Sequence, residues 1–107
     1  MKGVVIENSL KDPSVLKDLE IVRSWEDGSW KLHEVRVSKE QAEKLSEHLN
    51  DGPWYVHFWE PGDDTVLVVF KGKTFTIRFS DKESWKPAVE HGKSIGIPEE
   101  QLDFPID

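Results

Sequence analysis

Pro53 to Phe79 reads PWYVHFWEPGDDTVLVVFKGKTFTIRF, and this stretch decides the fold. Thr65 to Lys71 is rich in β-branched and aromatic residues, and apolar and polar residues alternate from Thr74 to Phe79. Alternation with a period of two is typical of a half-buried β-strand. Trp54 to Glu60 is a third segment of this kind, so the stretch predicts an antiparallel three-stranded meander.

The turn between the second and third strands sets their register. Gly72-Lys73 suits a two-residue turn with glycine at its first central position. The resulting register pairs Lys71 with Thr74, Phe70 with Phe75, Val68 with Ile77, and Val66 with Phe79. The three apolar pairs then share a face, so the turn chemistry and the hydrophobic pattern agree.

The turn between the first and second strands leaves two alternatives. Pro61-Gly62-Asp63-Asp64 predicts a loop of three, four or five residues. An odd loop places Trp54, Val56 and Phe58 on the face of Val66, Val68 and Phe70, whereas a four-residue loop places Tyr55, His57 and Trp59 there. We prefer the odd loop because its three side chains are almost wholly apolar. The second face then carries Tyr55, His57, Trp59, Leu67, Val69, Thr76 and Arg78.

The composition predicts one domain over residues 1–107. With 36% hydrophobic residues the chain can build a core, and the lack of cysteine excludes disulfides and thiolate metal sites. The first residues lack the apolar stretch of a signal peptide, and no segment approaches the roughly 20 apolar residues of a membrane span. We therefore expect a cytoplasmic location and no membrane partner.

The charge pattern bears on nucleic-acid binding. The net charge is −7, and the lysine and arginine residues are spread singly along the chain. Because binding to a phosphate backbone needs a clustered basic surface, we expect no nucleic-acid partner.

Before the meander, the sequence predicts a strand near 3–7 and a hairpin of strands near 20–25 and 30–37. Asp27-Gly28 is the turn signal of this hairpin, and the register that follows sets Trp25 opposite Trp30. Trp30 and Leu32 fall in one phase, and Val35 and Val37 in the other. A bulge near His33-Glu34 would reconcile the two phases.

Two helices complete the predicted fold. Ser38 and Gln41 have the spacing of a capping box, which starts a helix near 39–49. A second helix near 85–95 begins after Ser84 and ends at Gly96-Ile97-Pro98. The fold class is therefore α+β: a two-layer domain in which two helices cover one face of a largely antiparallel sheet of five to six strands.

Four segments resemble a family of small prokaryotic proteins whose function is not established: WKLHEVRV, NDGPWYVHFWE, VVFKGKTFTI and SIGIPEEQLDF. The resemblance covers nearly the whole chain. It implies no activity, cofactor or catalytic residue at any position.

No catalytic, metal or cofactor signature is present. The four histidines lack metal-ligand spacing, and we expect His48 and His91 to be solvated on the polar faces of their helices. The carboxylates of Glu60, Asp63 and Asp64 lack the spacing of a calcium loop, so we expect a solvated turn. We therefore expect no metal and no cofactor, and the catalytic residues, if any, stay unknown.

Two functional hypotheses remain. The first is a non-catalytic binding or assembly module that uses Tyr55, His57, Trp59 and Arg78, because aromatic residues and arginine dominate binding hot spots. The second is a small enzyme with a pocket in which His57 is the acid or base and Arg78 holds an anion. The second face needs a cover, and we rank the chain itself first, then a second copy in a homodimer, then a foreign ligand.

The predicted core face can be tested by truncation. We expect Phe70→Ala and Ile77→Ala to cost about 2–5 kcal/mol each, and Val68→Ala somewhat less. Thr74→Ala and Thr76→Ala should cost much less, because their side chains lie on the face opposite the predicted core. Denaturant midpoints measure these losses, and equal losses in the two groups would contradict the assignment.

Overall fold

The computed structural model describes residues 1–106, and its centre is a six-stranded sheet. The strands are β1 (Lys2–Ile6), β2 (Glu20–Asp27), β3 (Trp30–Arg36), β4 (Tyr55–Trp59), β5 (Thr65–Phe70) and β6 (Lys73–Arg78). Their order across the sheet is β2-β3-β1-β4-β5-β6, and every neighbouring pair is antiparallel. The predicted α+β class, the six strands and the meander β4-β5-β6 are confirmed.

Two α-helices and several 3-10 turns flank the sheet. Helix α1 (Lys39–Lys44) continues as a 3-10 turn to Glu47, and helix α2 (Lys86–Ser94) follows a 3-10 turn that begins at Lys82. Further 3-10 turns are Glu7–Ser9, Pro13–Asp18 and Glu99–Gln101. Among residues 1–106, no helix is both long and apolar enough to cross a membrane.

Local sequence signals start and stop these helices. The capping box of α1 is present: the Gln41 amide N–H donates to Ser38 Oγ at 3.1 Å, and the Ser38 amide N–H donates to Gln41 Oε1 at 2.9 Å. The turn before α2 is capped by Asp81 rather than by Ser84. Gly96, with φ +95°, ends α2 as predicted.

The preferred loop between β4 and β5 was wrong, and the four-residue alternative forms. Tyr55 lies opposite Phe70, His57 opposite Val68, and Trp59 opposite Val66. The loop is held by its two aspartates: the Thr65 amide donates to Asp63 Oδ1 at 2.9 Å, and the Ser80 amide donates to Asp64 Oδ1 at 2.9 Å. These contacts fix the loop length independently of the apolar pattern of the strands.

The two helices lie on opposite faces of the sheet, not on one face as expected. On the α1 face, Val56, Phe58, Leu67 and Val69 pack in one cluster with Val5, Val35, Ala42, Leu45 and Leu49. On the other face, Val66, Val68, Phe70 and Ile77 pack with Trp85, Ala88, Ile97, Leu102 and Phe104. The segment 97–106, here called the tail segment, covers this second face together with α2, and we call it the tail face. Strand β5 is therefore buried on both sides.

Both predicted hairpin registers were wrong by two residues. In the β5-β6 hairpin, Phe70 lies opposite Lys73, and Gly72 takes φ +72° at the second central position of the turn. In the β2-β3 hairpin, Asp27 lies opposite Trp30, so Trp25 and Trp30 are not directly paired. A two-residue shift preserves the alternation of faces, and the apolar pattern therefore cannot detect it.

The predicted bulge lies on the partner strand. The register shifts between Ile21 and Arg23 of β2, opposite Val35 and Glu34, so the extra residue is in β2 and not in β3.

The two halves of the sheet meet at Gly3. The ladder between β1 and β4 contains only two residue pairs, Lys2 with Trp59 and Gly3 with Phe58. A Cβ atom on residue 3 would lie 2.6 Å from the carbonyl oxygen of His57 and 2.6 Å from Cδ1 of Phe58. Only glycine therefore allows β1 and β4 to approach as they do.

We expect Gly3→Ala to lower the free energy of unfolding by about 1–3 kcal/mol, because the added methyl group forces β4 away from β1. Urea denaturation measures the loss. Lys2→Ala at the neighbouring position is the control and should cost less than about 1 kcal/mol, since it removes only a contact with the Trp59 ring. An unchanged midpoint for Gly3→Ala would contradict this account of the junction.

Candidate functional site

Three of the four predicted site residues lie side by side on β4. Tyr55, His57 and Trp59 all face the tail segment, with ring centroids 6.4 Å apart between Tyr55 and His57 and 5.2 Å apart between His57 and Trp59. Trp59 is 7% exposed, and the other two are half-buried. They are thus neighbours in a stacked row rather than an open patch.

The chain itself covers this row. The Tyr55 hydroxyl donates to the carbonyl oxygen of Gln101 at 2.5 Å and lies 3.3 Å from that of Asp103. His57 Nε2 lies 2.9 Å from the carbonyl oxygen of Pro105, and because a carbonyl only accepts, this nitrogen carries the proton. The fully buried Phe104 meets both rings edge-on, at 5.6 Å from Tyr55 and 5.8 Å from His57. The tail segment is therefore bound along β4 by hydrogen bonds and by ring packing.

Arg78, the fourth predicted site residue, lies on the other face of the sheet. It is opposite Thr65, whose side chain points with Leu67 and Val69 toward the α1 face. Arg78 Nε is 3.5 Å from Asp64 Oδ2, and its side chain is exposed. The expectation that Leu67, Val69, Thr76 and Arg78 share a face with Tyr55, His57 and Trp59 was wrong, because it rested on the odd loop.

Two further polar residues from the sequence analysis, His91 and Asp64, have defined surroundings in the structure. His91 is half-buried rather than solvated: its ring lies 4.7 Å from Phe70 and 5.7 Å from Phe75, and this burial lowers its pKa. Hydrogen bonds from Ser80 hold the pKa of Asp64 below its usual range. Residues 1–106 contain no group of three or more histidine, aspartate or glutamate side chains that could hold a metal ion.

A cavity of about 290 Å³ opens beside Tyr55 and His57, on the tail face. Its wall is mostly apolar: Val4, Ile6, Trp30, Leu32, Pro53, Trp54, Val56 and Ile97, with Tyr55, His57 and Gln101 as the polar members. The cavity lies where the β1-β4 ladder ends, because Val4 and Ile6 of β1 and residues 55–57 of β4 flank it without pairing. The short ladder therefore produces the cavity.

Two indoles mark the mouth of this cavity. The Trp30 and Trp54 ring centroids are 6.0 Å apart with their planes tilted by 59°, and Trp30 is 44% exposed. This pair differs from the prediction, in which Trp54 lies in the core and Trp30 contacts Trp25. The sequence did contain an indication of this pair. Trp30 and Leu32 are two residues apart on β3, so both large apolar side chains lie on the same face of the strand, and neither α1 nor α2 packs over them.

No family model, no curated protein and no solved structure matches this chain. The resemblance to a family of small prokaryotic proteins therefore stays a prediction.

Tyr55 reports on the binding of the tail segment. Burial, with the nearby Asp103 carboxylate as a smaller cause, raises the pKa of Tyr55 from its ordinary 10.0 to about 12. Because the folded protein holds this proton more tightly than the unfolded chain, the stabilising contribution is complete below pH 10 and is lost as the pH rises toward 12.

The chain contains a single tyrosine, so phenolate absorbance measures this pKa directly. We expect a midpoint near 12 when absorbance is read immediately after a pH jump from the native state, and near 10.0 in denaturant. Tyr55→Phe should abolish the transition. A native midpoint at the ordinary value would show that the tail segment does not cover the phenol.

Proposed function

We propose that this protein is a small binding module, and that its ligand inserts one uncharged aromatic group between Trp30 and Trp54. One observation carries the proposal: an indole that is 44% exposed faces a second indole across an apolar cavity of about 290 Å³. Most large apolar side chains of the chain are buried, so an exposed tryptophan beside a cavity is the exception.

The size of the cavity restricts the ligand. Pockets for small molecules typically span about 300–1,000 Å³, so this one lies at the lower limit. Such a volume accommodates a single ring with a short substituent, or one aromatic side chain of a peptide. Tryptophan is among the residues that contribute most to binding when they lie in a pocket of this kind.

The chemistry of the wall restricts it further. Seven of the residues around the cavity have apolar side chains on its face of the sheet, since the Val56 side chain packs on the α1 face, and a ring can meet the two tilted indoles face-on or edge-on. The carboxamide of Gln101 can donate and accept a hydrogen bond at the rim. The net charge of −7 disfavours an anionic ligand, which leaves an uncharged aromatic group as the best fit.

This proposal retains part of the binding surface that the sequence predicts. Tyr55 and His57 line the cavity, whereas Trp59 lies farther along β4 and Arg78 lies on the other face. The alternative of an enzyme that uses His57 and Arg78 in one pocket has no support, because the sheet separates the two side chains. The proposed function is binding alone, and it assigns no chemical reaction to the residues of this cavity.

The expected partners and location form part of the same proposal. We propose a cytoplasmic protein without a nucleic-acid or membrane partner, on the basis of its acidic charge and the absence of long apolar segments in its sequence. A homodimer that covers Trp30 is the competing occupant, and the experiment below separates it from a ligand.

Indole is the probe for the test. We expect indole to shift the amide and indole N–H resonances of Trp30 and Trp54 in nitrogen-proton correlation spectra, with saturable binding. Trp30→Ala should weaken the affinity by about tenfold or more, because it removes one wall of the cavity. Trp25→Ala is the matched control: it removes a neighbouring tryptophan of the same hairpin that does not line the cavity, and it should bind like the wild type.

Two results would contradict the proposal. Shifts spread over the surface, with equal affinities for wild type and Trp30→Ala, would show that indole does not bind at the cavity. Resonances of Trp30 that shift with protein concentration alone, together with a dimer in sedimentation that Trp30→Ala dissociates, would show that a second copy occupies it.

A further inference from the structure

A second cluster of polar side chains lies on the α1 face, on the opposite side of the sheet from the cavity of Trp30. Ser24 of β2 is directly opposite His33 of β3, and His33 is opposite Val5 of β1. Glu7 follows β1 and starts the 3-10 turn that bends the chain over this face. Three segments that are distant in sequence therefore bring a serine, a histidine and a glutamate together.

The hydrogen bonds of this cluster have a defined direction. His33 Nε2 lies 3.0 Å from Glu7 Oε1, and His33 Nδ1 lies 2.6 Å from Ser24 Oγ. Because a carboxylate only accepts, the proton of the neutral imidazole is on Nε2, and Nε2–H donates to Glu7. Nδ1 is then unprotonated and can only accept, so the Ser24 hydroxyl donates its proton to His33.

The exposure of the three side chains suits a reactive serine. Ser24 is exposed on the edge strand of the sheet, whereas the His33 side chain is 12% exposed and that of Glu7 is 30% exposed. The acceptor of the proton is thus sheltered and oriented, and the hydroxyl that gives up the proton is accessible. This is the arrangement by which a nucleophile is activated: a base within hydrogen-bond reach, oriented by a third group.

A cavity of about 250 Å³ adjoins the cluster and is lined by Glu7, Ser24, Trp25, Glu26, Lys31 and His33. The register sets Trp25 opposite Leu32, so the Trp25 indole points to the other face of the sheet and only the polar members line the cavity on the side of Ser24. Lys31 supplies a cation, and a cation beside the nucleophile stabilises the oxyanion that forms when a hydroxyl attacks a carbonyl group. Cluster and cavity together contain a nucleophile, a base, a group that orients the base, and a positive charge.

We propose that Ser24 is an activated nucleophile that attacks small, uncharged carboxylic esters. Ser24 Oγ bonds to the carbonyl carbon as its proton passes to His33 Nδ1. The bond from this carbon to the leaving oxygen then breaks, and the oxygen leaves with the electron pair and takes up the proton. Water, deprotonated by His33, then attacks the acyl carbon. The bond from this carbon to Ser24 Oγ breaks, Oγ takes the proton back from His33, and the carboxylic acid is released. Glu7 is a positioning residue, since it holds the tautomer of His33 and touches no substrate.

This inference is independent of the proposed binding of an aromatic group, because the two cavities lie on opposite faces and share no residue. Failure of one experiment therefore leaves the other proposal standing.

A fluorophosphonate probe and para-nitrophenyl acetate test the inference on the full chain. We expect the wild type to bind one equivalent of the probe on Ser24, located by mass spectrometry of peptides, and to release nitrophenolate faster than background. Ser24→Ala should lose both properties. Ser29→Ala, which changes the exposed serine in the turn of the same hairpin, should keep both.

Kinetic constants of His33 and Glu7 variants give a second measurement. His33→Gln should slow acylation about a hundredfold or more, which is the usual contribution of a general base. Glu7→Gln should lower kcat and leave KM nearly unchanged, because its amide can donate to Nε2 and so favours the tautomer in which Nδ1 cannot accept the serine proton. Circular dichroism confirms that the variants fold.

The proposal is overturned if the wild type is no more reactive than Ser24→Ala. It is equally overturned if mass spectrometry finds the probe on a residue other than Ser24, a measurement that needs no variant. A Glu7→Gln protein with wild-type kcat would remove Glu7 from the mechanism.

Discussion

The close approach of β4 to β1 at Gly3 is the constraint on which the rest of the structure depends. The backbone of β4 occupies the space that a side chain on residue 3 would need. The hairpin β2-β3 and the meander β4-β5-β6 are joined through this contact into one sheet. Since the ladder has only two residue pairs, β1 and β4 part beyond it, and the gap between them becomes the cavity that Trp30 and Trp54 border.

Local signals in the sequence were sufficient for the elements but not for their layers. The capping box at Ser38 and the glycine stop at Gly96 depend on a few adjacent residues, and both formed as predicted. The side of the sheet on which each element packs can be predicted only where one face of a strand is clearly more apolar than the other. Strand β5 offers little contrast, because Val66 to Phe70 are buried on both faces, and the loop before it is fixed by aspartate hydrogen bonds that the apolar pattern does not report.

The same distinction decides how much of the site was predictable. Tyr55, His57 and Trp59 stay together because residues two apart on a strand always share a face. Arg78 lies on the other face because the loop between β4 and β5 has an even number of residues, whereas the prediction used an odd number. The cluster of Ser24, His33 and Glu7 was hidden by the hairpin register, since the predicted turn at Asp27-Gly28 sets Ser24 opposite Lys31. A site built across strands requires the register, which side-chain alternation alone does not supply.

The tail segment is bound mainly through its backbone. Tyr55 and His57 hold the carbonyl oxygens of Gln101, Asp103 and Pro105, and every amino acid carries such an oxygen. These hydrogen bonds therefore do not depend on which side chains stand at the three positions, provided that Phe104 stays in the core. Gln101 also forms part of the cavity rim. Under the proposed binding of an aromatic group, a sequence change at this one position would alter the rim of the cavity while the wall beneath it stays in place, at little cost in stability.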